Sequence, residues 1–165
     1  MEISFKSKTA FKSAALSWLV LSAGSLILLF FLHLVVYFIF YINKISLVQH
    51  FTGILFTFYF YAIIWPGVIV NNYKAKLMIV KHNGEVDPER VKDFFLINRY
   101  SVIEDNPGRY RFESDMKFDK LFKGSRYVTI DYTDTEISIE MPANKVYHVH
   151  HGFKFGKMFL KDASA

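Results

Sequence analysis

The sequence contains no cysteine and, between Ala14 and Val70, no formal charge except Lys44. The first absence removes disulfides and thiolate metal sites, and it fits a reducing compartment. The second removes the polar stripe that a helix on the surface of a soluble protein carries. Long-period repeats and low-complexity linkers are lacking too. No nucleophile elbow, glycine-rich phosphate loop or H-E-x-x-H motif is present. Asp115, Asp119 and Asp131 are scattered carboxylates whose spacing marks no general acid–base pair. The reading is therefore of a protein that is not an enzyme, with no catalytic residue, no cofactor and no metal.

What is there instead is apolar bulk: 52% of the residues are hydrophobic, and 18 of the 165 are Phe. A membrane-spanning helix needs about 20 mostly apolar residues. Ala14 to Ile42 and Leu47 to Val70 both satisfy this, and the link Asn43-Lys44-Ile45-Ser46 forces an antiparallel hairpin. The chain thus divides into an N-terminal arm (1–13), a two-helix transmembrane hairpin (14–72) and a soluble domain (73–165). Ser22-Ala23-Gly24 resembles a signal-peptidase site, but the apolar run continues well past the length of a cleaved signal, so the first helix reads as an uncleaved anchor. Lys6, Lys8 and Lys12 before the hairpin, and Lys74, Lys76 and Lys81 after it, outnumber Lys44 in the loop. By the positive-inside rule both termini are cytoplasmic, in a multi-pass protein of the cell inner membrane.

Within the hairpin, Trp18 suits an interfacial anchor at the cytoplasmic face. Ser22 and Gly24 in the first helix, and Gly53 and Thr57 in the second, are small residues of the kind that lets helices pack closely. Pro66 predicts a kink. His33 is the one imidazole in the run Phe30 to Ile42. An ionisable group at such depth faces protein or water. A hydrogen bond to Thr52, Thr57 or Tyr59 of the second helix would satisfy it, with proton transfer or ligand contact as the functional alternative.

The soluble half reads as a small α+β domain. Asp87 and Pro88 suit the N-cap and first position of a helix ending near Asn98, with Val91, Phe94 and Phe95 on one face. Asn106-Pro107-Gly108 suits a type II turn. Alternation in 109–114, 127–132 and 136–141 predicts strands. Pro142-Ala143-Asn144 then reads as a turn and Val146 to His150 as a further strand. The expected fold is one helix on an antiparallel meander of about five strands.

Residues 73–165 hold 16 Lys and Arg against 14 Asp and Glu, interleaved, so no nucleic-acid partner is expected. On a strand His148 and His150 would share a side, but two ligands fall short of a metal site. From Lys145 to Lys161 basic and aromatic residues alternate without an acid. Lys154, Phe155, Lys157, Phe159 and Lys161 are candidates for contact with anionic lipid, or else the phenylalanines complete the core.

The opening Met1-Glu2-Ile3-Ser4-Phe5-Lys6, the hairpin and the segment Arg126 to Tyr147 together resemble small bacterial membrane proteins of the YcxB-like and pleckstrin-homology-like type. Unlike that family, the chain keeps both tryptophans, Trp18 and Trp65, in the helices. The resemblance implies a cytoplasmic helix-plus-strands domain and no known activity. The expected function is a membrane-anchored interaction domain, a subunit or regulator of a larger assembly, with the bilayer and other membrane subunits or a second copy as partners. The alternative is a two-helix antiphage effector that disrupts the membrane when a cyclic nucleotide binds.

Overall fold

The computed structural model describes the chain apart from residues 9–10, 156–157 and 162–165, and apart from the side chains at 11–13 and 59. The chain forms two compact units: Phe11–Asn71, and Met1–Ala10 together with Asn72–Ala165.

The first unit is a helical hairpin. Helix α1 (Phe11–Val36) runs on into a π-helical turn, Tyr37–Tyr41. The return path is α2 (Leu47–Gly53), α3 (Leu55–Tyr59), a π-helical turn Phe60–Ile64 and α4 (Trp65–Tyr73). Ser46 caps α2: the Gln49 N–H donates to its hydroxyl, and its own N–H donates to the Gln49 side chain. Ala14–Tyr41 and Leu55–Tyr73 are long and apolar enough to cross a membrane by length and composition. The second, of 19 residues, spans about 28 Å as a helix, against a hydrocarbon thickness of about 30 Å.

The interruption expected at Pro66 begins one turn earlier. Proline has no N–H and its ring crowds the preceding turn. The helix answers by widening over Phe60–Ile64. The Trp18 indole N–H donates to the Ile63 carbonyl at 3.0 Å, inside the widened turn. Gly67 lies against the same indole, its Cβ position 3.6 Å from Nε1. Trp18 is thus a packing residue of the hairpin.

The second unit is a six-stranded antiparallel sheet in the order β1-β2-β6-β5-β4-β3. The strands are β1 (Glu2–Ser7), β2 (Ala75–Lys81), β3 (Tyr100–Asn106), β4 (Arg109–Ser114), β5 (Tyr127–Tyr132) and β6 (Glu136–Pro142). Strands β3 to β6 form the expected meander. The arm set apart in the sequence reading instead supplies the edge strand β1, paired with β2 from Glu2↔Lys81 to Ser7↔Lys76. The hairpin is therefore inserted between two paired neighbours.

Helix α5 (Pro88–Ile97) begins as expected, with the Asp87 carboxylate accepting from the Glu89 N–H. Val91 and Phe95 are buried on the sheet, joined by Met78, Phe112, Ile130, Ile137 and Ile139. Gly108 has φ +83°, as the third position of a type II turn requires.

After the short helix α6 (Lys123–Arg126), the strand expected over Val146 to His150 is a helix, α7 (Ala143–Lys154), which starts directly from Pro142. Val146, Val149 and Phe153 recur at the three- and four-residue spacing of a helix face and pack on the core. At about 100° per residue, His148 and His150 lie about 200° apart and share no side. His150 rests on Phe5. Two helices cover the sheet where one was expected.

Candidate functional site

The hairpin carries the most unusual local chemistry. His33 precedes Tyr37 and Tyr41 by one and two turns of the first helical stretch, so the three share a face. From α2, the His50 ring lies 5.7 Å from His33, 5.6 Å from Tyr37 and 5.2 Å from Tyr41. Phe58 closes the other side of His33 at 5.1 Å. The Tyr37 hydroxyl donates to the Ile45 carbonyl at 3.1 Å and ties the cluster to the loop.

His33 Nδ1 and His50 Nε2 are buried with no hydrogen-bond partner among the described residues. The hydrogen bond expected for His33 is not made to Thr52, whose hydroxyl turns back to the Val48 carbonyl, and Thr57 faces outward. The side chain of Tyr59 lies outside the described residues. His33 is thus enclosed by rings, and the polar group beside it is a second imidazole. His50 was legible as the second imidazole of the apolar half, but its pairing with His33 needed the hairpin register. A neutral imidazole offers one donor and one acceptor nitrogen, so each of the two rings keeps a buried nitrogen that a bridging water could serve. Two histidines are too few for a zinc site, and no group of three metal-ligating side chains occurs among the described residues.

The small residues singled out for helix packing separate. Ser22 is buried, with its hydroxyl unpartnered among the described residues. Gly24 and Gly53 face outward, where an added Cβ would meet nothing within 4 Å. The hairpin packs through Ser22, Tyr37, His50, Ala62 and Pro66 instead. Toward the middle of the helices an apolar groove of about 520 Å³ is lined by Leu26, Phe30, Phe31, Phe51, Leu55 and Phe58.

In the sheet unit, the Tyr132 hydroxyl donates to the Tyr110 hydroxyl at 2.8 Å, and Tyr110 donates to Glu89 of α5. Lys92 bridges Glu89 and Asp105 at 3.3 and 2.7 Å. Burial first, and the Glu89 hydrogen bond next, hold the Tyr110 phenol above its ordinary range. This network clamps α5 to the strands. At the opposite strand ends Tyr100 is buried with its hydroxyl unpartnered among the described residues; burial, then the nearby Asp119 carboxylate, raise its pKa. Asp119 accepts from the Ser114 hydroxyl at 2.8 Å.

The C-terminal candidates also divide. Phe159 is fully buried in the core, so it is no lipid contact. Lys154 and Phe155 are exposed, with the ammonium over the ring at 5.2 Å. Lys161 is exposed, and its backbone N–H donates to the Glu85 carbonyl. Lys157 lies outside the described residues.

No family model matches the sequence, and no curated protein or solved structure matches it either. The class defined by the fold is an α+β unit with an antiparallel sheet, interrupted between its first two strands by an apolar helical hairpin.

Proposed function

We propose that the chain is a non-enzymatic integral membrane protein. The hairpin crosses the bilayer, and the sheet unit is a cytoplasmic interaction domain serving as a subunit or regulator of a membrane assembly. The observation that carries this reading is the outward face of the hairpin. Leu28 is 70%, Val48 75% and Phe56 81% exposed, while the imidazoles of His33 and His50 turn inward. In water such a surface costs about 25 cal/mol per Å², whereas hydrocarbon solvates it without that penalty.

Topology supports the orientation. β1 precedes the hairpin, β2 follows it, and the two are paired. That pairing requires both ends of the hairpin to emerge on one side of a membrane. The flanking lysines favour the cytoplasm as that side.

The cysteine-free sequence makes the test direct. In intact cells, a Ser46→Cys variant should react with an impermeant maleimide and an Asp134→Cys variant should not; the reverse pattern overturns the orientation. Purification from the native membrane should recover a stoichiometric partner or a homo-oligomer. Recovery as a monomer alone would overturn the assembly role.

A further inference from the structure

The strand ends of the sheet unit fall at two edges, and these differ in charge. One edge holds the points where the chain enters and leaves the hairpin: the Lys8 N–H donates to the Ala75 carbonyl there. The N-terminal ends of β3 and β5 and the C-terminal ends of β4 and β6 share this edge, as the register requires. The other edge lies one strand length away, about 20 Å for the seven residues of β2. It carries Glu85, Asp87, Glu104, Asp105, Asp134 and Glu136, with Lys81, Arg90, Arg109 and Lys161 among them.

At the hairpin edge the segment Met116–Arg126 reads Met-Lys-Phe-Asp-Lys-Leu-Phe-Lys-Gly-Ser-Arg. Its acid, Asp119, is buried against Ser114. Lys117, Lys120, Lys123 and Arg126 are exposed. Lys120 and Arg126 share Glu113, at 3.8 and 2.9 Å, and Lys117 and Lys123 enter no ion pair among the described residues. Between these cations Met116, Phe118 and Leu121 are 42%, 43% and 72% exposed. The end of α5 adds Leu96 and Ile97, the latter 80% exposed, and the Asp115 N–H donates to the Arg99 carbonyl to hold the two segments together.

The segment packs on the first residues of the sheet unit after the hairpin, Tyr73 to Ala75. Tyr73 stacks on Phe122 at 4.9 Å and meets Phe118 edge-on at 5.4 Å. Gly124 packs directly on the backbone of Tyr73 to Ala75.

We infer that Met116–Arg126, with Leu96 and Ile97, is a membrane-contact surface that inserts its apolar side chains among lipid headgroups and pairs its lysines with anionic lipid. The inference rests on the reading of the hairpin as membrane-spanning. It moves the lipid contact away from the C-terminal candidates: Leu160 bridges Val86 at the far edge, beyond the end of β2. Exposed aliphatic and aromatic groups interleaved with lysine match the headgroup layer of an anionic leaflet, and the edge that carries them is the one where the chain enters and leaves the hairpin.

The test places a nitroxide at Leu121→Cys, at Asp134→Cys on the far edge and at Leu28→Cys in the hairpin. Each full-length variant is reconstituted in vesicles of phosphatidylcholine alone or with phosphatidylglycerol, and collision with oxygen and with a polar nickel complex is read by electron paramagnetic resonance. With anionic lipid the Leu121 label should lose nickel collisions severalfold relative to the Asp134 label. The triple variant K117E/K120E/K123E should reverse that loss. A Leu121 label as nickel-accessible as the Asp134 label in both vesicles, with the Leu28 label deep, overturns the contact surface and leaves the hairpin reading intact. A water-accessible Leu28 label overturns both.

Discussion

Gly124 lies against the carbonyl of Tyr73: a Cβ at position 124 would sit 2.7 Å from that oxygen and 2.5 Å from the Ala75 nitrogen. Both neighbours are backbone, at the point where α4 hands over to β2, so neither yields as a flexible side chain would. Gly124→Ala should therefore destabilise the protein by about 1–3 kcal/mol, the cost of overpacking a fitted site. Thermal unfolding of the purified protein in detergent measures this. An unchanged melting temperature would mean that the contact between the segment and Tyr73 to Ala75 is loose.

The two phenylalanines of the C-terminal segment should behave oppositely. Phe159 is fully buried against Phe153 and Gly152, whereas Phe155 is 65% exposed. Phe159→Ala should cost about 3–5 kcal/mol, as truncation of a core aromatic does, and Phe155→Ala should stay within about 0.5 kcal/mol. Equal losses in chemical denaturation would contradict the packing of the segment after α7.

This contrast also shows where the sequence was readable. The strands at 109–114, 127–132 and 136–141 are announced by alternation, and α5 by Asp87-Pro88, because both signals are local; only Pro142, read as a turn, extends the last strand. Helix α7 carried a helical signal in Val146, Val149 and Phe153, but the alternation of His148 and His150 competed with it and led to a strand reading. β1 is six residues long and makes sense only beside β2, some seventy positions later. The pairing of His33 with His50, and the gathering of Leu96, Ile97, Phe118 and Leu121 at one edge, are tertiary facts with no local signature.

Stability should fall in mild acid through His82. This side chain is buried, and its Nδ1 accepts from the Gly84 N–H at 3.1 Å, which requires that nitrogen to be unprotonated. Burial lowers its pKa, and nearby Lys161 and the N-terminal ammonium act in the same direction, against Glu85 and Asp134. The folded state thus binds the proton less readily than the unfolded chain, whose imidazole titrates near about 6.5. The resulting stabilisation is complete above that pH and is lost as the pH falls through it toward the lower folded value. The melting temperature should drop between about pH 7.5 and 5.5, and His82→Gln should shrink that drop. A variant with the same pH profile as the parent would rule out His82 as its source.

The imidazole pair in the hairpin sets up a double-mutant cycle. His33 and His50 face each other at 5.7 Å, each with one buried nitrogen lacking a partner among the described residues. An unpaired buried polar group costs about 1–3 kcal/mol, and a water bridging the two nitrogens would relieve both at once. Replacing one histidine by leucine then leaves the other unrelieved, while replacing both removes the need. His33→Leu and His50→Leu should each lower the melting temperature in micelles, and the double variant should regain most of the loss. The expected coupling is about 1 kcal/mol, within the range for contacting side chains. Strictly additive effects would show that the two rings are independent packing groups, and the hairpin would then contain no joint polar site at this position.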